Sequence, residues 1–295
     1  MMKRRRGWWL AVLPVFIGLL FLGLGVGSSQ PVAEAQAEHP SELLAVTTGG
    51  MLQVGEELEY DVSYSFFHIG TIRTCVVDRE FRNGKMVYKS VAYIDSNPSL
   101  SWLVDLHIRF YSEIDDSVFS YAWISDDSTE KEIYFRRFKF DYSNNRALLE
   151  KGKIVPGGAR AVEGIDTVSI TERCQDGLSL YYYARENVRQ KKQVRVATLI
   201  ERKQEYTFIN FTNKKSGVEI DAVNHLVEVV EFDGKAEYVG VFGLTGGFRG
   251  WFSNDDARIP VLARMNVILG SIKIELVRWT RTGWQPPLYV EEAER

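Results

Sequence analysis

Residues 57–66 read Glu-Leu-Glu-Tyr-Asp-Val-Ser-Tyr-Ser-Phe, and their reading decides the fold. Leu58, Tyr60, Val62, Tyr64 and Phe66 alternate with Glu57, Glu59, Asp61, Ser63 and Ser65. Successive side chains of an extended backbone point to opposite faces, so a period of two marks a strand with one buried and one wet face. Working outward, a second strand over 70–79 leads to Asn83-Gly84, two residues tolerant of positive φ as a tight hairpin requires, and 86–94 returns. Similar runs occupy 107–114, 118–124, 132–142, 194–200, 206–211, 226–232, 259–267 and 271–279. Asp233-Gly234 offers another hairpin signal, answered by a strand over 237–242.

About a dozen strands without crossover helices make an antiparallel β protein. A sheet this wide cannot stay flat, because native twist curls it. The expected fold is all-β, a large strongly curved antiparallel sheet or an incompletely closed β-barrel with one or two short helices. Those helices are expected over 98–106 and over 177–186, the second capped by Asp176. The Gly-rich, basic stretch 151–164 reads as a mobile loop dividing residues 52–280, a single β domain, into possible halves 52–150 and 165–280. Residues 38–51 read as a linker and 281–295 as a C-terminal tail.

Ahead of this domain, Lys3 and Arg4 to Arg6 precede an apolar run from Trp8 to Val26 and a small-residue stretch. Residues 1–37 therefore read as a secretory signal peptide or, since the apolar run approaches a bilayer's thickness, an uncleaved N-terminal membrane anchor. Either places the remainder outside the cytosol, in the periplasm, soluble or tethered to the inner membrane by residues 8–26. Membrane contact is expected only through that segment, if it is retained. The chain carries 36 Lys+Arg against 39 Asp+Glu, for a net charge of −3. Losing 1–37 removes four basic residues and one acidic one, which leaves −6. An anionic chain lacks the electrostatic footprint of a nucleic-acid binder.

Chemistry-bearing motifs are sparse. His39, His68, His107 and His225 form no short metal-ligand pattern, so no metal or cofactor is expected. No Gly-x-Ser-x-Gly elbow occurs, and Ser128 to Lys131, though spaced Ser-x-x-Lys, falls in a turn. Asp115-Asp116, Asp126-Asp127 and Asp255-Asp256 read as turn residues that accept backbone hydrogen bonds rather than as acid–base pairs. Cys75 and Cys174, in an oxidising compartment, either form a disulfide or stay two separate buried thiols. Tyr60, Tyr64, Phe66, Tyr88, Phe110, Phe138 and Phe140 fall on apolar registers, where they either line a ligand cavity or fill the core.

Val54 to Val62 (VGEELEYDV), Ile69-Gly70-Thr71, Ser96-Asn97-Pro98 and Arg109 to Asp115 (RFYSEID) occur in an order that resembles domain of unknown function 3108. Gly177 to Tyr182 (GLSLYY) resembles that family's central helix, and Asp256 to Val261 (DARIPV) with Gly270 its closing hairpin. The resemblance spans about residues 52–280 and implies an exported bacterial β protein without assigned activity. Its curved sheet is similar to that of carriers moving lipoproteins or other lipids across the periplasm, an analogy of fold alone. The leading expectation is a non-enzymatic cell-envelope protein holding an apolar or lipid-like ligand, or a lipidated partner, in a curved β cavity. The alternative is a structural module whose sheet edges bind other envelope proteins. An envelope hydrolase would need carboxylates or a His/Ser pair converging in one pocket.

Overall fold

The computed structural model describes residues 50–101, 105–128, 132–200, 202–237, 246–267 and 270–291. The expected signal or anchor, most of the 38–51 linker and the strand expected over 237–242 lie outside these residues, apart from their edges at Gly50, Met51 and Glu237.

Fourteen strands form one antiparallel sheet. Eight come first: β1 (Glu57–Tyr64), β2 (Phe67–Arg82), β3 (Lys85–Ser96), β4 (His107–Asp115), β5 (Ser120–Ser128), β6 (Ile133–Asp141), β7 (Arg146–Ile154) and β8 (Arg160–Ser169). A helix, α1 (Gly177–Asn187), intervenes. Then follow β9 (Lys192–Ile200), β10 (Lys203–Val218), β11 (Val227–Ala236), β12 (Gly247–Ser253), β13 (Pro260–Val267) and β14 (Gly270–Thr280). Neighbours in sequence are neighbours in space, and β14 pairs with β1, so the sheet begins at β8 and ends at β9. The expected halves are thereby joined into one sheet at β1 and β14.

β8 and β9 do not pair, and the roll stays open along that seam. β9 is instead buried on both faces over residues 196–199. Val194 and Val196 join a cluster with Ala184 and Val188 of α1, while Ala197 and Leu199 join Phe138, Phe140, Ala147, Leu149 and Val168 of β6, β7 and β8. One end of the sheet is thus tucked inside the other. Gln175 seals the overlap, donating to the Ala197 carbonyl (2.8 Å) and accepting from the Leu199 amide (2.9 Å).

The up-and-down order sends connections alternately to the two ends of the roll. One end, the plugged end, holds α1, the start of β1 and the end of β14. The other, the mouth, holds the β1–β2, β3–β4, β5–β6, β7–β8, β9–β10, β11–β12 and β13–β14 connections. Helix α1 is set by its cap. Asp176 accepts from the Leu178 and Ser179 amides (2.7 and 2.8 Å), and the Ser179 hydroxyl accepts from the Asp176 amide. This reciprocal box supports the expected N-terminus of the helix.

Four local expectations are corrected. Residues 151–164 are not a loop but most of the β7–β8 hairpin. Gly152 serves close strand approach, since a Cβ there would lie 2.0 Å from the Ala161 carbonyl oxygen, whereas Gly157 and Gly158 take positive φ (93° and 82°) in the turn between the two strands. Asp233-Gly234 is no turn but lies within β11, where a Cβ on Gly234 would meet the Phe248 ring at 2.4 Å. Asp126-Asp127 likewise lies inside β5. The helix expected from 98 is a single 3-10 turn, Pro98–Leu100, capped by Asn97; residues 102–104 lie outside the described part.

Candidate functional site

The plugged end is built from paired groups. Arg185 of α1 is fully buried and gives a bidentate pair to Glu56 (2.6 and 2.7 Å) plus two hydrogen bonds to the Ala257 carbonyl. Burial alone would depress the guanidinium pKa, but the Glu56 carboxylate overrides it and the pKa rises. Arg281 adds a second cation to Glu56 and also donates to the Met51 carbonyl. Tyr182 bonds Ser90 (2.7 Å), Tyr181 bonds Tyr60 (3.1 Å), and Asp176 accepts from Ser112 (2.6 Å). Residues 281–291 belong to this end rather than forming a loose tail. Trp284 is buried on Asp255 (2.7 Å), and Leu288 bridges to Val227.

The expected cavity rings divide. Tyr60, Phe110, Phe138 and Phe140 are buried, and Phe110 stacks on Trp123, which in turn tilts against Phe138. Phe110 packs with Leu178 and Tyr182 of α1, Tyr60 bonds Tyr181, and Phe138 and Phe140 join the β6–β9 cluster. Tyr64 and Tyr88 are half-buried, and Tyr88 packs at the edge of the core cluster containing Tyr182. Phe66 does not line the interior at all. The strand ends at Tyr64, Ser65 turns with φ 55°, and Phe66 stands 82% exposed at the mouth.

Of the two alternatives for the cysteines, the structure has separate free thiols, Cys75 half-buried and Cys174 buried. Cys75 sits on β2 opposite Glu57, on the face away from its buried neighbour Val76, while Cys174 lies in the inner cluster of β6–β9. Burial lifts the Cys75 thiol to about 11, with Glu57 adding to the rise, and lifts Cys174 to about 12. Neither is a nucleophile near neutral pH.

Nor do the carboxylates and histidines converge. His68 bonds Asp61, and His107 bonds Asp95 (2.6 Å). Asp115 is consumed by Lys85 (2.8 Å) and Arg173 (2.7 Å). Asp126 and Asp127 point to opposite faces of β5. Asp126 approaches Arg160 (3.7 Å) and Arg109 (3.8 Å), whereas Asp127 lies opposite Ile108 of the core. Burial raises the Asp127 pKa to about 6, with Arg136 only partly offsetting it. Its Oδ2, the Trp123 Nε1 and both polar side-chain atoms of Gln175 are buried without a hydrogen-bond partner among the described residues.

The feature that sequence reading missed lies on the outer face. Phe232, Phe248 and Phe252 pack inward with α1, so the alternate residues of β11 and β12 face out. There β10–β14 and the 219–226 connection border a cleft of about 1600 Å³. Ile220, Val223, Trp251 and Leu262 supply its apolar floor. Above them runs a cross-strand row in direct register, Asp233, Arg249, Arg264, Lys273 and Ser63, on β11, β12, β13, β14 and β1. Like charges directly opposite one another repel. Lys273 is relieved by Glu275 (2.9 Å), which also accepts from the Asp221 amide. Arg249 and Arg264 are exposed and form no ion pair among the described residues, although Arg249 lies 6.0 Å from the Trp251 ring. Each cation is isolated in sequence; only the strand order aligns them.

Residues 59–277 match the protein family of unknown function DUF3108. No curated protein matches the chain. Among solved structures it is similar to a beta-barrel-like protein of domain of unknown function DUF1849 from Brucella abortus. That match has 10% identity and a TM-score of 0.47, and covers 77% of this chain and 97% of that one. It is also similar to a Bacteroides fragilis protein with a YmcC-like fold, at 8% identity and a TM-score of 0.30, covering 79% and 99%.

Proposed function

We propose that this chain, which belongs to the DUF3108 family of proteins of unknown function, is a non-enzymatic exported envelope protein that binds an anionic, lipid-like amphiphile. The outer cleft carries this reading. Its apolar floor suits a hydrocarbon chain, and the row of Arg249, Arg264 and Lys273 suits a phosphate or carboxylate head. This reading puts the ligand on the face opposite the buried rings and α1. The N-terminal basic and apolar segment supports an address outside the cytosol.

Binding of dodecyl phosphate to the purified full chain, with native mass spectrometry and lipid extraction of the same preparation, tests this. Arg249→Gln with Arg264→Gln is expected to weaken binding by about tenfold or more, the scale of one charge-assisted contact. Consistently empty protein with no affinity for the probe overturns the proposal.

A second reading, a scaffold that binds partners by strand addition, is favoured by β8. That strand is paired only to β7, and its outward row presents Val162 and Ile165 at 48% and 66% exposure. Pull-down of an envelope protein lost on Ile165→Lys, without co-purifying lipid, favours this one.

A further inference from the structure

The mouth carries a feature that the cleft does not explain. The β1–β2 connection is two residues long, Ser65 and Phe66, between the paired Tyr64 and Phe67. Such turns favour Asn and Gly, because positive φ costs other residues energy. Here Ser65 takes φ 55°, and the tip beside it holds large rings rather than small polar groups. Phe66 and Phe67 stand 82% and 57% exposed with centroids 4.2 Å apart, so they shield little of each other from water.

Just below this tip, on the outer face, Ser63 lies opposite Lys273, the first cation of the row that continues through Arg264 to Arg249. The apolar tip and the cationic row thus lie toward the same end of the roll, Arg264 and Arg249 being two and three strands from β1 along the row that Ser63 begins. We propose that this rim docks on an anionic phospholipid bilayer. Phe66 and Phe67 enter the boundary between headgroups and acyl chains while Arg264 and Arg249 meet lipid phosphates.

Shape and charge select this occupant. Two rings on a convex hairpin tip would need a matching pocket on a protein, whereas a fluid bilayer accepts a protrusion without one. The Arg249 and Arg264 guanidinium groups, which form no ion pair among the described residues, find anions in its phosphates. Position agrees as well. Gly50 is held by Arg281 at the plugged end, so the described chain enters the fold at the end opposite the mouth. The inference stands apart from the cleft reading, because a rim can dock on lipid whether or not the cleft holds a single molecule in solution.

Phe81 is the internal control. It is 73% exposed but lies beside the β2–β3 turn, at the plugged end. The experiment places the photoreactive residue benzoylphenylalanine at 66 or at 81 in the full chain, bound to vesicles of phosphatidylethanolamine with a minority of phosphatidylglycerol. Position 66 is expected to give at least about tenfold more lipid adduct than position 81, the ratio a single buried ring would sustain. Adding Arg249→Gln and Arg264→Gln should remove the dependence of that adduct on phosphatidylglycerol, with the melting temperature unchanged. Equal lipid adducts at the two positions, adducts to protein alone, or none at either position would each overturn the proposal. Solution binding of dodecyl phosphate in the same variants reads the cleft separately.

Discussion

The two ends of this roll are made on different principles. At the plugged end each buried charge has partners: Glu56 with Arg185 and Arg281, Asp115 with Lys85 and Arg173, Asp176 with Ser112 and two helix amides. Toward the mouth, β5 turns Asp127 inward without a bond to its Oδ2, and β1–β2 turns two phenylalanines outward into water. The paired buried charges stabilise the first end, and the exposed rings leave the second free to interact. If that division is correct, substitutions at the two ends should differ in sign as well as in size.

The plugged end should give the largest effect. Arg185→Leu strips Glu56 of a bidentate partner and leaves the Ala257 carbonyl buried without its two donors. Breaking a buried pair by removing one partner costs about 3–5 kcal/mol, and Arg281, which remains beside Glu56, sets the expectation near the lower figure. Urea unfolding of the variant reads this directly. A loss below about 1 kcal/mol would mean that α1 is not pinned by the pair and would erase the contrast between the ends.

Next comes the mouth-side carboxyl, with the opposite sign. A carboxyl that titrates near 6 in the fold and near 3.9 in the unfolded chain binds its proton more tightly when folded. Below about pH 4 both states are protonated and nothing is lost. As the pH rises toward 6 the unfolded chain ionises first and stability falls, and above 6 the whole penalty is present, at most about 3 kcal/mol. Asp127→Asn should therefore stabilise the protein at about pH 8 and leave it unchanged near pH 4. Unfolding curves at the two pH values check this, and a destabilised variant at the higher pH would show that Asp127 has a partner.

These contrasts were only partly legible in the sequence. Alternation located eleven of the fourteen strands and missed β7, β8 and β12, while Asn83-Gly84 located a hairpin and Asp176 the helix, because each is a local rule. The glycines misled. Gly152 and Gly234 suggested a loop and a turn, but there a strand or a ring approaches too closely for a Cβ, while Gly157 and Gly158 do turn the chain. Alternation also distinguishes two faces without saying which is concave. Phe66 continued the pattern of Tyr60 and Tyr64 on paper, yet one positive φ at Ser65 ended the strand before it. The cationic row was out of reach, because Arg249, Arg264 and Lys273 align only once β12, β13 and β14 are placed in register.

That same positive φ predicts a smaller gain. A left-handed conformation costs a non-glycine residue roughly 1–2 kcal/mol, part of which glycine returns through its greater freedom when unfolded. Ser65→Gly should therefore raise stability by up to about 1 kcal/mol, whereas Asn145→Gly, in another left-handed position at the plugged end, should change little because asparagine tolerates it. Thermal melts of the pair sharpen the comparison. If both gain equally, the cost lies in the left-handed conformation itself and not in the residue that adopts it.

The smallest effect on stability is expected where the exposure is greatest. Phe66 and Phe67 face water in the folded chain much as they do in the unfolded one, so Phe66→Ser with Phe67→Ser removes little but the contact between the two rings. The double variant should unfold within about 0.5 kcal/mol of the parent, the range of ordinary surface substitutions. The same change at Phe110, stacked in the core on Trp123, should cost several kcal/mol, at least the ~3–5 of an aromatic truncation. Denaturant titrations of both variants decide the matter. Should the mouth pair also prove costly, its rings would be packing in the folded state, and the division between a stabilised end and an interacting one would fail at its most exposed point.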